Sequence, residues 1–343
     1  MKMKMLNSFK NDFILDKNRA HDIERRIDEK YCIASDTKMK EIILDKIMSR
    51  KEMFFYEKDY NRPQCIFYIY IKKLNTTIFG RKMISPLYKK NMISSMNCSM
   101  ITENMIVGIL NNGAKNGRDI VISYFPLTDG ERLNMFNIIK NDSMINIEYP
   151  FVYCDYYTQH ELGSPVDGWK IHDNTELNLF NGEEHLRLYT IKILNKIGVE
   201  NKSVLFDPAC STGDFLYELK KNFPHVVTIG QDLSHEMATI SKKKIDIVYC
   251  GDSIFTPVLD DSVDFLFFRF LNSKVVTTDK AKELYNVLIK KVKIGGHIIC
   301  FGHTPVLLNL DFMIKSGWEL ISSSGYNKKY DSIFQYYVLR RQF

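Results

Sequence analysis

Three aspartates carry the first chemical signal in this chain of 343 residues: Asp207, Asp232 and Asp252. Each closes or follows a short apolar run that reads as a buried strand. Asp207 opens the turn Asp207-Pro-Ala-Cys-Ser-Thr-Gly213, where Ala209, Ser211 and Gly213 are small enough for a nucleotide to lie against the backbone. A helix starting at Thr212 would present unpaired N–H groups to an anionic group. Asp232, followed by Leu233, ends the second strand, where a carboxylate can accept from both hydroxyls of a ribose. Asp252 and Ser253 follow the third. One such aspartate would read as a turn former or helix cap. Three at successive strand ends read as a single nucleotide site.

These residues need a frame, and the pattern of residues 201–343 supplies one. Strands are expected at 203–207, 226–230, 245–250, 263–268 and 297–301. Helices are expected at 212–222, 234–243 and 279–292, with another after Pro305 that ends near Gly317. The run 263–268 is continuously apolar, as a parallel strand buried on both faces requires. Two β-like segments then follow, 318–323 and 332–341, joined by a polar turn around 325–329. With no helix between them, they must run antiparallel if they are neighbours.

Upstream, residues 156–200 read as a connecting, lid-like segment. It ends in a helix from about Asn181 that carries Leu186, Tyr189, Ile193 and Leu194 on one side and stops at Gly198. Residues 1–155 read as an α+β accessory domain for substrate binding or dimerisation. Its expected helices lie at 22–30, 38–51 and 130–140, and its expected strands at 65–72, 119–124 and 145–153.

A βα series that closes in a C-terminal hairpin, with an aspartate at each of its first three strand ends, resembles the class I S-adenosylmethionine-dependent methyltransferases over residues 180–343. The resemblance implies an α/β fold, a Rossmann-like seven-stranded sheet with an antiparallel hairpin at its end, and S-adenosyl-L-methionine as cofactor. It implies Asp207 beside the methionine part, with Ala209, Cys210 and Gly213 in close approach. Asp232 and Leu233 would lie at the ribose, Asp252 at the adenine amino group, Ser253 along the ring, and Phe268 at the end of strand four. DNA adenine methyltransferases share the wording Asp207-Pro-Ala-Cys210 but carry a Pro-Pro motif after strand four. Here that place reads Phe267-Phe-Arg-Phe-Leu-Asn272, so extrusion of an adenine base is disfavoured.

The segment 268–272 is similar to small-molecule O-methyltransferases, in which an arginine precedes a histidine base. Arg269 is present, but Asn272 and Ser273 stand where that histidine would be. Arg269 is therefore expected to bracket the cofactor, to neutralise an acidic acceptor, or to form a structural ion pair. The base is sought among His160, His172, His185 and His303. His303 follows strand five, and His172 lies in a polar, aromatic segment with Trp169. The catalytic set expected from the sequence is His303, Arg269 and His172. Tyr153, Tyr156, Tyr157 and Trp169 would line an acceptor pocket or pack in a core.

Composition narrows the partners. The net charge of +6 is mild and its basic residues are scattered, so a nucleic-acid partner is disfavoured. Seven cysteines without a CxxC pair point to reduced thiols, a cytoplasmic setting and no structural zinc. No run approaches the roughly 20 apolar residues of a membrane span. The N-terminal residues lack the apolar stretch of a signal peptide. The expected function is methylation of a small metabolite or natural-product precursor on O, N or C, with a 2-oxo acid as one acceptor that Arg269 could meet. A methyltransferase acting on nucleic acid or protein, and a non-catalytic S-adenosylmethionine-binding subunit, are the competing readings. A homodimer and a bound metal are left open.

Overall fold

The computed structural model describes residues 44–57, 66–81 and 100–343, apart from 153, 156, 159, 166, 167, 169, 171–182, 274, 303 and 316. The helix expected at 22–30 lies outside the described residues. Of the one expected at 38–51, residues 44–48 are described and helical.

Alternating β-branched and aromatic residues in the first part of the chain build an antiparallel sheet. Its strands are β1 (Met53–Glu57), β2 (Ile66–Ile71), β3 (Thr76–Arg81), β5 (Ile106–Asn116), β6 (Asp119–Pro126) and β7 (Asn146–Glu148), in the order β1-β6-β5-β3-β2-β7. A two-residue strand, β4 (Ile101–Thr102), pairs elsewhere. Helix α1 (Asp129–Lys140) begins at a capping box between Thr128 and Glu131, and Arg50 pairs with Glu131 at 2.6 Å. It buries Met135, Phe136 and Ile139 against Ile69, Ile71, Ile78 and Ile109 of the sheet. The expected strands at 65–72 and 119–124 and the helix at 130–140 correspond to β2, β6 and α1. The strand expected at 145–153 is cut to Asn146–Glu148, ahead of Pro150. β1, β3 and β5 were not anticipated. The outer half of β5, Asn111 to Asn116, is polar and exposed and shows no alternation.

The second sheet is parallel through β10 (Ile247–Cys250), β9 (Val227–Asp232), β8 (Val204–Asp207), β11 (Val263–Phe268) and β12 (Val292–Phe301), in that order. Helices α2 (Glu184–Ile197), α3 (Asp214–Asn222), α4 (His235–Ser241), α5 (Thr278–Leu288) and α6 (Leu310–Lys315) accompany it. The final strands are β13 (Trp318–Asn327) and β14 (Ser332–Arg341). β14 inserts between β12 and β13 and runs antiparallel to both, which is the hairpin the sequence anticipates. The connecting turn falls after Asn327, because Tyr326 and Asn327 still pair with Ile333 and Ser332. Gly295 and Gly296 lie within β12, where the register against β11 shifts.

The two sheets meet at the hairpin. β4 pairs with the start of β14, Ile101 opposite Ile333, and becomes an eighth strand beyond the seven expected. The carbonyl of Ile147 in β7 accepts from Gln335 Nε2 at 2.8 Å and from the Tyr337 hydroxyl at 2.9 Å. Ser323 N donates to Ser143 O at 2.7 Å and Ser323 Oγ to Ile145 O at 2.5 Å. Ile333 shares one apolar core with Phe136 of α1. The first sheet is therefore joined to the second by shared core and buried hydrogen bonds as well as by a linker.

Candidate functional site

The turn between β8 and α3 is pressed against its neighbours. A Cβ on Gly230 of β9 would lie 2.7 Å from Cys210 Sγ and 2.5 Å from Ile245 Cδ1, so a side chain there has no room. Ser211 and Gly213 both take left-handed backbone, with φ of +51° and +81°. The first is a conformation that L-residues adopt at a cost. Gly213 sits at the N-cap of α3 with no side-chain cap, which leaves the first helical N–H groups without a capping side chain. Burial pushes the Cys210 thiol well above its usual range, so it is a packing residue and not a reactive thiol. Ala209 is half-buried on the turn, and its N–H donates to Asp207 Oδ1 at 3.1 Å.

Asp207 lies behind this turn and is wholly shielded from solvent. Its Oδ2 accepts from Arg269 Nη1 at 2.8 Å, and Arg269 Nη2 donates to Glu183 at 2.7 Å. Burial pushes the Asp207 carboxyl up and the Arg269 charge pulls against that push. Burial works against the Arg269 cation, but Glu183 and Asp207 outweigh it and hold its value raised. Arg269 also stacks on the Phe215 ring at 4.3 Å. Of the three roles expected for Arg269, the geometry shows the ion pair, and both ends of its guanidinium are engaged by protein carboxylates. Glu183 was read from the sequence only as part of a helix start. Its partner lies 86 residues away, and no local pattern marks such a pairing.

Asp232 is placed differently. Its Oδ2 accepts from Ser211 N and its Oδ1 from Ser234 N, each at 2.8 Å, so it ties the first turn to the start of α4. Burial raises its carboxyl value, against the pull of those two N–H groups. Leu233 beside it is 41% exposed, an apolar side chain left uncovered at the rim. Asp252 Oδ1 accepts from Ile254 N at 3.0 Å, and its Oδ2 lies 3.2 Å from Lys280 Nζ of α5. Ser253 is buried and its hydroxyl donates to Pro208 O. The ring of Phe268 is fully buried among Phe270 and Tyr285, so only its backbone is left for a ligand.

Of the expected bases, His303 and His172 lie outside the described residues, as do Trp169, Tyr153 and Tyr156. Tyr157 is 85% exposed and packs in no core. His160 is exposed, whereas His185 is buried on α2, edge-on to Phe334. Asn272 and Ser273, which stand where a histidine was sought, are both buried and zip the loop after β11 to the loop after β12. Asn272 bridges to Val306, and Ser273 N donates to Pro305 O at 2.9 Å.

Buried polar atoms without partners test whether a ligand fits here. Among the described residues, unpartnered buried side-chain atoms occur singly at Asn146 and Ser322, away from this edge, but five gather here: Gln231 Oε1, Arg269 Nε, Asn272 Oδ1, Ser273 Oγ and Thr278 Oγ1. All five belong to the carboxyl ends of β9 and β11 or to the loop into α5. Orphaned polar atoms are rare in folded proteins and mark places where a ligand or water completes the network. Together with the open N-terminus of α3, Asp232 and Asp252, they fit a polar ligand laid across the carboxyl edge of a doubly wound sheet. Among the described residues no group of three or more His, Cys, Asp or Glu gathers as a metal site would require, and no helix is long and apolar enough to cross a membrane.

No family model matches the chain. Isonocardicin synthase of Nocardia uniformis subsp. tsuyamanensis is 30% identical over 247 residues, which cover 72% of this chain and 80% of that protein. The chain belongs to the isonocardicin synthase family. The second sheet, five parallel strands closed by an antiparallel hairpin, has the topology that the resemblance to class I S-adenosylmethionine-dependent methyltransferases implied. Solved structures that overlap part of the chain include a SAM-dependent methyltransferase from Aquifex aeolicus, at 16% identity and TM-score 0.38, covering 49% of this chain and 100% of that one. The PH0226 protein of Pyrococcus horikoshii OT3 gives 13% identity and TM-score 0.39, covering 50% and 94%. The [4+2]-cyclase SpnF gives 11% and 0.36, covering 45% and 81%. Within the isonocardicin synthase family, the match of 247 residues is longer than the whole of 201–343, so the likeness extends into the part of the chain that precedes the parallel sheet.

Proposed function

We propose that this protein is an S-adenosylmethionine-dependent methyltransferase that acts on a small molecule in the biosynthesis of a natural product. The observation that carries the reading is the set of orphaned polar atoms at one sheet edge, framed by Asp232 and Asp252. The biosynthetic relative supports a small acceptor.

In this reading Asp232 holds the ribose hydroxyls, with Leu233 beside it. Asp252 and the Ser253 backbone meet the adenine edge. The first N–H groups of α3 meet the carboxylate end. Ala209, Cys210 and Gly213 keep the backbone close. Asp207 and Arg269 act from behind, as the pair that fixes the turn. When bound, the cofactor supplies an electrophilic carbon on a sulfonium. The protein must then hold the acceptor within about 3 Å of that carbon and accept one proton. His303 and His172 are the proposed bases, on their sequence positions. Because Arg269 is engaged by Asp207 and Glu183, recognition of an acidic acceptor does not rest on it.

The test is calorimetric titration with S-adenosylmethionine, followed by incubation with pooled small-molecule precursors and mass spectrometry of the products. A product heavier by one methylene supports the reading. A larger gain that carries the amino-acid arm of the cofactor overturns methyl transfer but keeps the cofactor site. No binding overturns both.

A further inference from the structure

The chain ahead of α2 reaches into the cofactor site by a route that the sequence does not disclose. Cys154 and Glu161 pair across a short hairpin, closed by Asp155 N donating to His160 O at 2.8 Å. Asp155 Oδ1 stiffens it by accepting from Tyr157 N and Thr158 N at 3.0 and 2.8 Å. From Glu161 onward three contacts follow at the carboxyl edge of the sheet. Glu161 Oε2 accepts from the N–H of Thr278, the first residue of α5, at 2.5 Å. Ser164 N donates to Val275 O at 2.8 Å. A turn closed by Gly168 N on Pro165 O at 2.9 Å brings Gly168, at φ +77°, against Ser234. A Cβ on Gly168 would lie 2.9 Å from Ser234 N, the same N–H that donates to Asp232.

Ser164 thus lies at the loop after β11 and Gly168 at the loop after β9. One end of the segment touches α5, whose Lys280 pairs with Asp252. The other touches the residue that orients Asp232. Resting on the cofactor reading above, we propose that Glu161 is a positioning residue of the cofactor site. Its carboxylate pins the strap formed by 161–165 and Gly168 to the N-terminus of α5, so that the strap lies over adenosine held between Asp232 and Asp252 and slows its release.

Three physical points support this. A carboxylate on the first N–H of a helix is favoured by both charge-assisted hydrogen bonding and the helix dipole. Among its described residues the strap shows little apolar anchorage, since Leu162 is 36% exposed and Gly163 and Pro165 are exposed. Elements tied mainly by hydrogen bonds open at lower free energy than core elements, so one polar contact can control the cover.

The experiment measures S-adenosylhomocysteine affinity by calorimetry and its release rate by stopped flow, on wild type, Glu161→Ala and Glu161→Gln. Loss of one charge-assisted hydrogen bond predicts a Kd weakened by about tenfold or more in Glu161→Ala. The release rate should rise by a similar factor, and hydrogen exchange should quicken at the Thr278 amide. Glu161→Gln keeps an acceptor oxygen and should recover most of the affinity. Gly168→Ala displaces the other end of the strap and should also speed release; it serves if Glu161→Ala fails to fold. Wild-type Kd and release rate in folded Glu161→Ala or Gly168→Ala overturn the strap. Failure of the wild type to bind overturns the cofactor reading and the strap together.

Discussion

Arg269 donates to Asp207 across 2.8 Å where Asp207 has no exposure to solvent, and its other terminal nitrogen reaches Glu183 at 2.7 Å. The guanidinium and its two carboxylates lie directly behind the turn between β8 and α3, their charges compensating one another. Removing one member leaves the other buried and uncompensated. Arg269→Met is expected to lower the free energy of unfolding by about 3–5 kcal/mol, read from denaturant melts. An unchanged midpoint would show that the pair is not held in solution.

Asp232 is tied to two backbone N–H groups and still faces the site from the end of β9. Asp232→Ala is expected to weaken S-adenosylmethionine binding by at least about tenfold, from the loss of charged hydrogen bonds. Calorimetry on a variant whose melting temperature has also been measured separates lost contacts from a loosened Ser211 turn. Full affinity in that variant would remove Asp232 from the site.

Cys210 and Gly230 share a space that admits one side chain. Gly230→Ala would put a methyl 2.7 Å from the Cys210 sulfur, and such overpacking costs about 1–3 kcal/mol. Adding Cys210→Ala should restore part of the loss, since Ile245 Cδ1 still crowds the position at 2.5 Å. A double-mutant cycle measures this coupling directly. Strict additivity would mean that the two residues do not compete.

His297 on β12 stacks on Phe265 at 5.4 Å, and burial with help from Arg340 lowers its pKa from 6.5 to about 4. Because the folded value is depressed, the unfolded chain binds the proton first as the solution is acidified. The contribution of neutral His297 to stability is therefore complete above pH 6.5 and is lost as pH falls towards about 4. Replacing His297 with Phe should flatten the fall in stability across that window, read as melting temperature against pH. An identical profile would show that His297 is not held neutral in the fold.

The parallel sheet was legible because each strand is a short apolar run ended by a polar or small residue, and local patterns of that kind survive in sequence. The hairpin was legible for the same reason, as two β-like segments with no helix between them. What escaped depends on distance along the chain or on depth. Asp207 and Arg269 are 62 residues apart and Glu161 and Thr278 are 117 apart, so neither pairing leaves a local mark. Phe268 shows the limit of position alone. It ends the strand nearest the site, yet alternation turns its ring into the core, while Arg269, the next residue, turns to the carboxylates. β5 was missed because its outer half is polar on both sides, which leaves only its pairing with β6 to define it.

The seam at Ile147 has a consequence for how the chain is made. The partners that satisfy its carbonyl, Gln335 and Tyr337, lie 188 and 190 residues downstream, and β4 needs the start of the last strand for its pairing. During synthesis on the ribosome the first sheet is complete in sequence long before the surface it rests on exists. Its edge at β7 stays open until residues 332–341 have been made, so synthesis of the hairpin, rather than formation of the first sheet, is the step that closes this seam.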